Sequence, residues 1–104
     1  MSDTSANMDS DASAGEQSVR QVLVTNQLGL HARPASQIAR EAQAFVAKIS
    51  IEAQGQTVDA KSILDILTLS AGMGSTLEIR ACGADAPQAV DRLTELFAAK
   101  FGEK

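Results

Sequence analysis

The sequence predicts an α+β fold, an open-faced β-sandwich whose four-stranded antiparallel sheet carries three helices on one face, in the order β-α-β-β-α-β-α. The strand-like segments alternate apolar and polar side chains, so each strand has one face to bury. The helix-like segments have one apolar face each, which an antiparallel sheet can cover from one side. The chain has 104 residues and is 44% hydrophobic, which suits a single domain with its own core.

The sequence of the first half of the domain predicts the element order β-α-β-β. Residues 19–25 are rich in β-branched side chains and predict the first strand. A helix is predicted from about residue 32 to residue 43, and the residues that share its apolar face are Ala35, Ile38, Ala39 and Ala42. Residues 47–52 alternate as a half-buried strand does. The pair Gln54-Gly55 then predicts a hairpin turn into a return strand at residues 56–60.

The sequence of the second half predicts the element order α-β-α. Residues 62–69 form a short second helix, and a glycine-containing loop at residues 71–75 leads to an alternating last strand from Leu77 to Ala81. Asp85 is expected to cap the final helix, with Gln88 as its capping-box partner. The buried stripe of that helix consists of Ala89, Val90, Leu93, Leu96, Phe97 and Phe101.

Charge separates the N-terminal segment from the rest of the chain. Residues 1–17 carry four acidic side chains and no Lys or Arg, and the remaining residues balance nine basic against nine acidic groups, so the net charge of −4 lies in this segment. It has too little apolar surface to offset the entropy of ordering, and we expect residues 1–17 to form a disordered acidic N-terminal extension. The folded domain is then residues 18–104.

Composition excludes several classes of function. The chain has no basic stripe and no Trp or Tyr, which argues against a nucleic-acid partner. Cys82 is the only cysteine, which excludes an internal disulfide and a multi-cysteine metal site and favours the cytoplasm. No apolar run approaches the length of a membrane span, so no membrane insertion is expected. The N-terminal segment also lacks the patterns of a secretory signal and of a transit peptide.

His31, the only histidine, is placed where a loop becomes a helix. Gly29 permits a tight backbone path before it, and Pro34 suits a first helical turn. The free N–H groups and dipole at a helix start favour a negative group, and Arg33 adds a fork of donors. This pattern predicts a nucleophilic imidazole that forms a phosphohistidine, stabilised by the first turn, Ala32, Arg33 and Pro34. The alternative is a surface histidine that only caps the helix.

Two segments carry a resemblance to a known family. NQLGLHARPA at residues 26–35 resembles the active-site segment of the HPr phosphocarriers of the bacterial phosphoenolpyruvate-dependent phosphotransferase system, and AKSILDIL at residues 60–67 resembles their regulatory-serine helix. The resemblance covers about residues 18–102 and implies the same open-faced sandwich. It also implies that phosphorylated enzyme I donates a phosphoryl group to Nδ1 of His31, and that an enzyme IIA histidine accepts it. Arg33 would take part in both transfers.

The resemblance also bears on classification. It implies a carrier that needs no cofactor, neither metal nor nucleotide, and that works as a covalently modified phosphohistidine intermediate. Whether such a carrier is called an enzyme, as a transferase, is a matter of definition. The segments at residues 26–29 and 62–64 are also similar to the nitrogen-related homologue NPr, so sugar uptake and a regulatory phosphorelay both stay open.

Ser62 has two interpretations. With Asp65 three residues on, its side chain matches a helix N-cap that satisfies a backbone N–H. The resemblance implies regulatory phosphorylation by an HPr kinase/phosphorylase in lineages that possess one. A phosphate at a helix start is well placed electrostatically, but the Asp65 carboxylate would repel it.

The second helix has more apolar residues than one buried stripe needs. We expect Ile66 and Leu69 to face the core and part of the rest to lie at the surface beside His31, as a docking patch. The resemblance implies that enzyme I and enzyme IIA domains contact that patch and the cations around it, namely Ile63, Leu64, Leu67, Arg33, Arg40 and Lys61. The alternative is tight core packing of all three apolar residues. We expect a monomer.

Two other functions compete with phosphoryl transfer. A regulatory binding module of the same fold would act through protein contacts without turnover of phosphate. A small hydrolase would use His31 as a general base, but the sequence shows no nucleophile and carboxylate pair around that histidine.

Overall fold

The elements follow one another in the predicted order in the computed structural model, which describes residues 17–103. The strands are β1 (Gln17–Leu23), β2 (Lys48–Ala53), β3 (Gln56–Asp59) and β4 (Thr76–Cys82). The helices are α1 (Ala32–Gln43), α2 (Ile63–Leu67) and α3 (Ala86–Ala98), followed by a 3-10 turn at Lys100–Gly102. The expected acidic extension lies outside the described residues, except for Gln17, which is the first residue of β1.

The strands form one antiparallel sheet in the order β1-β4-β2-β3. In the middle of the sheet, Ile51 of β2 lies opposite Ile79 of β4 on one side and Val58 of β3 on the other. These side chains are buried under the helices, whereas Ser50 and Arg80 belong to the face without helices. The period-2 alternation sorts the side chains onto the two faces, and it is the physical reason for the one-sided architecture. The predicted fold class is confirmed.

Local signals explain the element ends. The helix α1 has the predicted bounds, and all four residues of its predicted apolar face are buried. Gln54 and Gly55 have φ values of 52° and 82° and join β2 to β3 as the predicted two-residue hairpin turn. The strand β1 lies two residues earlier than predicted. The backbone of Val24, beyond its end, bonds to the loop before β4.

The start of α3 differs from the prediction. The Asp85 side chain does not cap α3, so the predicted capping box with Gln88 is wrong. Its carboxylate instead accepts the backbone N–H groups of Val46 and Ala47, each at 2.9 Å. The acid therefore ties the α1–β2 connection to the start of α3. The Asp85 carboxylate accepts two hydrogen bonds in this position, whereas it would accept only one as an N-cap. Two charge-assisted bonds stabilise it more than one does.

The buried stripe of α3 is confirmed in its centre and differs at its end. Leu96 is only partly buried, and Phe101 lies beyond the helix, in the 3-10 turn. Phe101 is nevertheless 3% exposed, and its ring meets the edge of Phe97 at a centroid distance of 4.9 Å. The chain after α3 is thus anchored to the core before it reaches Glu103.

Candidate functional site

A tight loop brings the chain from β1 to α1. The amide of Gly29 donates to the carbonyl of Asn26 at 3.1 Å, and the Asn26 side chain donates back to the Gly29 carbonyl at 2.7 Å. Gly29 has a φ of 68°, and a Cβ there would lie 2.5 Å from the carbonyl oxygen of Ala71. A glycine is therefore required, because the loop packs backbone to backbone against the segment before β4. The amide of Leu30, which donates to Ala71 at 2.9 Å, continues this contact.

His31 stands at the N-cap position of α1, as predicted. Its carbonyl accepts the first helical bond, from the amide of Ala35 at 3.0 Å, but its side chain makes no capping bond. The imidazole is 36% exposed and so open to a partner. The interpretation of His31 as a side-chain cap is therefore wrong.

The first turn of α1 has backbone N–H groups that the N-cap side chain does not satisfy. Backbone N–H groups at a helix start lack intrahelical partners, and α1 has no acidic residue in this turn. Of the three residues predicted to stabilise a phosphate, Ala32 and Arg33 have such N–H groups, whereas Pro34 has none. Pro34 is buried and serves the geometry of the turn.

A carboxylate that the sequence analysis missed lies against the imidazole. Oε2 of Glu103 is 2.8 Å from Nε2 of His31, and Oε1 accepts a hydrogen bond from the buried Asn26 amide at 3.2 Å. The hydrogen bond from His31 lowers the pKa of the Glu103 carboxyl below its ordinary value, and the bond from Asn26 and the charge of Arg33 act in the same direction. In the sequence, only the apolar residue Phe101 at the end of the α3 stripe indicates that the C-terminal segment packs against the domain near His31.

The predicted cations Arg33 and Arg40 are exposed and line a groove of about 440 Å³ between α1 and α3. Arg92 of α3 also lines the groove, where it bonds to Glu41 and Glu95 at 2.9 Å each. The bond from Arg92 lowers the pKa of the Glu41 carboxyl. No carboxylate between residues 17 and 103 forms a salt bridge with Arg33 or Arg40. Within the described residues, the charges of these two guanidinium groups are thus not neutralised by a salt bridge.

An apolar surface lies on α2, as predicted. Ile66 is completely buried, whereas Leu64 is 76% and Ile63 is 39% exposed, and Leu67 is half-buried. The alternative, tight core packing of all of Ile63, Leu64 and Leu67, is therefore wrong. Met73, another exposed apolar side chain, lies in the loop that packs against Gly29.

Lys61 and Ser62 lie at the other end of α1 from His31. The Lys61 ammonium donates to the carbonyl of Phe45 at 2.8 Å, and the Lys61 carbonyl accepts from Gln43, the last residue of α1. Lys61 is thus not brought beside His31. Ser62 caps α2, because its hydroxyl accepts the amide N–H of Asp65 at 3.2 Å, which confirms the N-cap interpretation.

No helix between Gln17 and Glu103 is long and apolar enough to span a membrane. The same residues contain no cluster of three His, Cys, Asp or Glu side chains that could hold a metal ion.

Comparison with known proteins agrees with this geometry. Residues 18–99 match the family model described as the PTS HPr component phosphorylation site. The chain is 40% identical to the phosphocarrier protein HPr of Cupriavidus necator, over 81% of this chain and 94% of that protein. It is 43% identical to the phosphocarrier protein NPr of Shewanella violacea, over 81% and 92%.

The fold comparison gives the same result. A crystal structure of HPr from Thermoanaerobacter tengcongensis superposes with a TM-score of 0.81 at 34% identity, and covers 84% of this chain and 98% of that one. The sequence and the architecture therefore identify one family. The chain belongs to the HPr family, the phosphocarriers of the phosphotransferase system.

Proposed function

We propose that His31 is the phosphoryl carrier of this protein, that it receives the group from phosphorylated enzyme I, and that it passes the group to an enzyme IIA histidine. The observation that carries the proposal is the half-exposed imidazole at an uncapped helix start. Nε2 is engaged by Glu103, which leaves Nδ1 as the nitrogen for the phosphoryl group. The protein would act as a monomer in the cytoplasm.

The transfer exchanges one P–N bond for another between the partner's histidine and His31. The Nδ1 lone pair of His31 forms the new P–N bond, while the donor P–N bond breaks and its electron pair returns to the donor nitrogen. The amides of Ala32 and Arg33 and the Arg33 guanidinium stabilise the charge on the equatorial oxygens. Onward transfer reverses these steps. Catalysis is then a matter of position and electrostatics, shared with the partner.

The partner surface is proposed to combine the apolar residues of α2 with the cations of α1. Ile63 and Leu64 offer exposed apolar area, and the exposed Arg33 and Arg40 offer positive charge for acidic partner surfaces. Leu67 is half-buried and contributes at the edge. Lys61 is assigned a smaller role, because its ammonium is occupied by Phe45.

The central test is phosphorylation with purified enzyme I and labelled phosphoenolpyruvate. We expect rapid, acid-labile labelling of the parent protein and none of His31→Ala, with the fold of the variant checked by circular dichroism. Undiminished labelling of His31→Ala would end the proposal. An unlabelled parent protein would favour the regulatory binding module instead. The same assay with the sugar-type and the nitrogen-type enzyme I distinguishes the two branches by the faster donor.

Ser62 is proposed as the acceptor of a regulatory phosphate from an HPr kinase/phosphorylase. The start of α2 favours the phosphate, but Asp65 lies three residues on, and its carboxylate is 3.4 Å from the amide of Asp59. We expect slow, acid-stable labelling by such a kinase, which Asp65→Asn makes faster. Labelling that Ser62→Ala does not abolish would contradict this assignment.

A further inference from the structure

The contact between Glu103 and His31 depends on an unusual backbone. Lys100, Phe101 and Gly102 have φ values of 54°, 55° and 79°, three consecutive residues in the left-handed region. For Lys and Phe this region is sparsely populated, because Cβ approaches the neighbouring carbonyl. Such a run persists only where the surrounding structure holds it.

Phe101 holds this turn in place. Its ring is buried against Phe97, and its carbonyl accepts the side-chain N–H of Gln37 at 3.2 Å. The turn is therefore fixed to both α3 and α1. The result is that Glu103 arrives at the start of α1 instead of continuing into solvent.

Both oxygens of the Glu103 carboxylate are used there. Oε1 accepts a hydrogen bond from Nδ2 of Asn26, which also donates to the Gly29 carbonyl. Because both partners are acceptors, Nδ2 must point toward them, and this fixes the orientation of the Asn26 amide. Asn26 is 1% exposed and cannot easily turn away. Oε2 faces Nε2 of His31 at 2.8 Å, and since a carboxylate only accepts, that ring nitrogen must donate.

We propose that Glu103 is a positioning residue for phosphoryl transfer, which holds the proton on Nε2 of His31 so that the neutral ring presents the Nδ1 lone pair. The negative charge of Glu103 also balances the positive charge that the His31 ring carries once the phosphoryl group is attached to Nδ1. The inference rests on the proposed function. When the P–N bond forms, the ring keeps its Nε2 proton, and when it breaks, the electron pair returns to Nδ1. Glu103 neither gains nor loses a proton.

The first test measures the tautomer of the unphosphorylated protein from the ring ¹⁵N chemical shifts of His31. We expect the Nε2–H form in the parent protein, and in Glu103→Ala a tautomer ratio shifted by roughly three- to tenfold toward Nδ1–H, as befits one partly exposed charge-assisted hydrogen bond. Glu95→Ala removes an exposed carboxylate from α3 and should leave the ratio unchanged. An unchanged ratio in Glu103→Ala would overturn the proposal.

The second test measures the half-life of the phosphohistidine near neutral pH. The ring that keeps its Nε2–H is the better leaving group, and the Glu103 carboxylate lies 2.8 Å from that nitrogen. We therefore expect Glu103→Ala to lengthen the half-life roughly two- to fivefold and to slow transfer to the acceptor. An unchanged or shorter half-life would contradict the counter-charge role. A parent protein that enzyme I does not phosphorylate would defeat the proposed function, while the tautomer measurement still decides the role of Glu103.

Discussion

The starts of α1 and α2 offer the same backbone chemistry and use it differently. At α2, the Ser62 hydroxyl accepts the N–H of Asp65, and the Asp65 carboxylate lies in the first turn. At α1, the N-cap residue His31 makes no side-chain cap and the first turn has no acid. The positive end of α2 is thus satisfied from within, whereas that of α1 has neither a side-chain cap nor an acid among residues 17–103.

The side chains explain the difference. A serine is short enough to fold back onto the third amide of its own helix. The longer imidazole of His31 instead bonds to Glu103, and Glu103 is held in place by a hydrogen bond from Asn26. A helix start is therefore a candidate phosphate site only where its own side chains leave it open, and sequence position alone does not establish this.

The largest effect is expected from Gly29→Ala, which breaks the backbone before α1. A Cβ at this left-handed position meets the Ala71 carbonyl, so we expect the unfolding free energy to fall by about 2–4 kcal/mol. Phosphoryl acceptance should drop more than about tenfold, because the His31 ring is displaced. Gly72→Ala is the matched control in the facing loop, where a Cβ has no neighbour within 4 Å. Equal effects in the two variants would contradict the close-packing argument.

Arg33→Glu tests the electrostatics of the open start. Charge reversal removes the guanidinium donors and repels the incoming phosphoryl oxygens, so we expect enzyme I to phosphorylate the variant about 10- to 100-fold more slowly. Lys48→Glu makes the same change in net charge on the exposed end of β2 and should alter the rate much less. Similar losses in both variants would mean that overall charge, and not the site, controls the reaction.

Ala32→Asp should move stability and activity in opposite directions. An acid in the first turn of α1 complements the dipole and should raise the unfolding free energy by about 0.5 kcal/mol. The same carboxylate occupies the anion position, and phosphorylation should slow roughly tenfold. Ala32→Asn is the neutral control. If the Asp variant is phosphorylated at the parental rate, the first turn is not where the phosphoryl group is stabilised.

Ser62→Ala should lower the stability of the protein but leave the phosphorylation rate of His31 unchanged. Loss of the cap is expected to lower the unfolding free energy by about 1 kcal/mol while phosphorylation of His31 proceeds at the parental rate. His31→Ala removes no cap, so it should cost less stability than Ser62→Ala. Denaturant unfolding of both variants decides this. A loss in His31→Ala that exceeds both the loss in Ser62→Ala and the loss in Glu103→Ala would mean that the two helix starts are alike after all.

Much of the architecture follows from local patterns. The bounds of α1 follow from its apolar face and from Pro34, and the hairpin follows from Gln54-Gly55, because neighbouring residues decide both. Glu103 could not be predicted, because its contact with His31 spans 72 positions and needs a left-handed turn that only tertiary packing supports. The side chain of Asp85 was misassigned for a related reason. A local pattern shows that an acid can cap a helix, but not that other amides compete for it.

Asp85 provides the last and smallest test, since Asn at this position keeps an acceptor oxygen. The N–H groups of Val46 and then Ala47 hold the pKa of the Asp85 carboxyl below its ordinary value. A carboxyl whose pKa folding lowers stabilises the protein above its unfolded pKa, and this contribution is lost as the pH falls through the folded pKa. The Ser62 hydroxyl has no such titration.

We therefore expect the stability gap between the parent protein and Asp85→Asn to be present near neutral pH and to shrink as the pH falls below about 4. The gap for Ser62→Ala should stay constant over the same range, because a neutral cap was lost. Urea unfolding at several pH values measures both gaps. An Asp85→Asn gap that does not change with pH would mean that the loss of the second acceptor oxygen, and not the loss of the charge, weakens the α1–β2 connection.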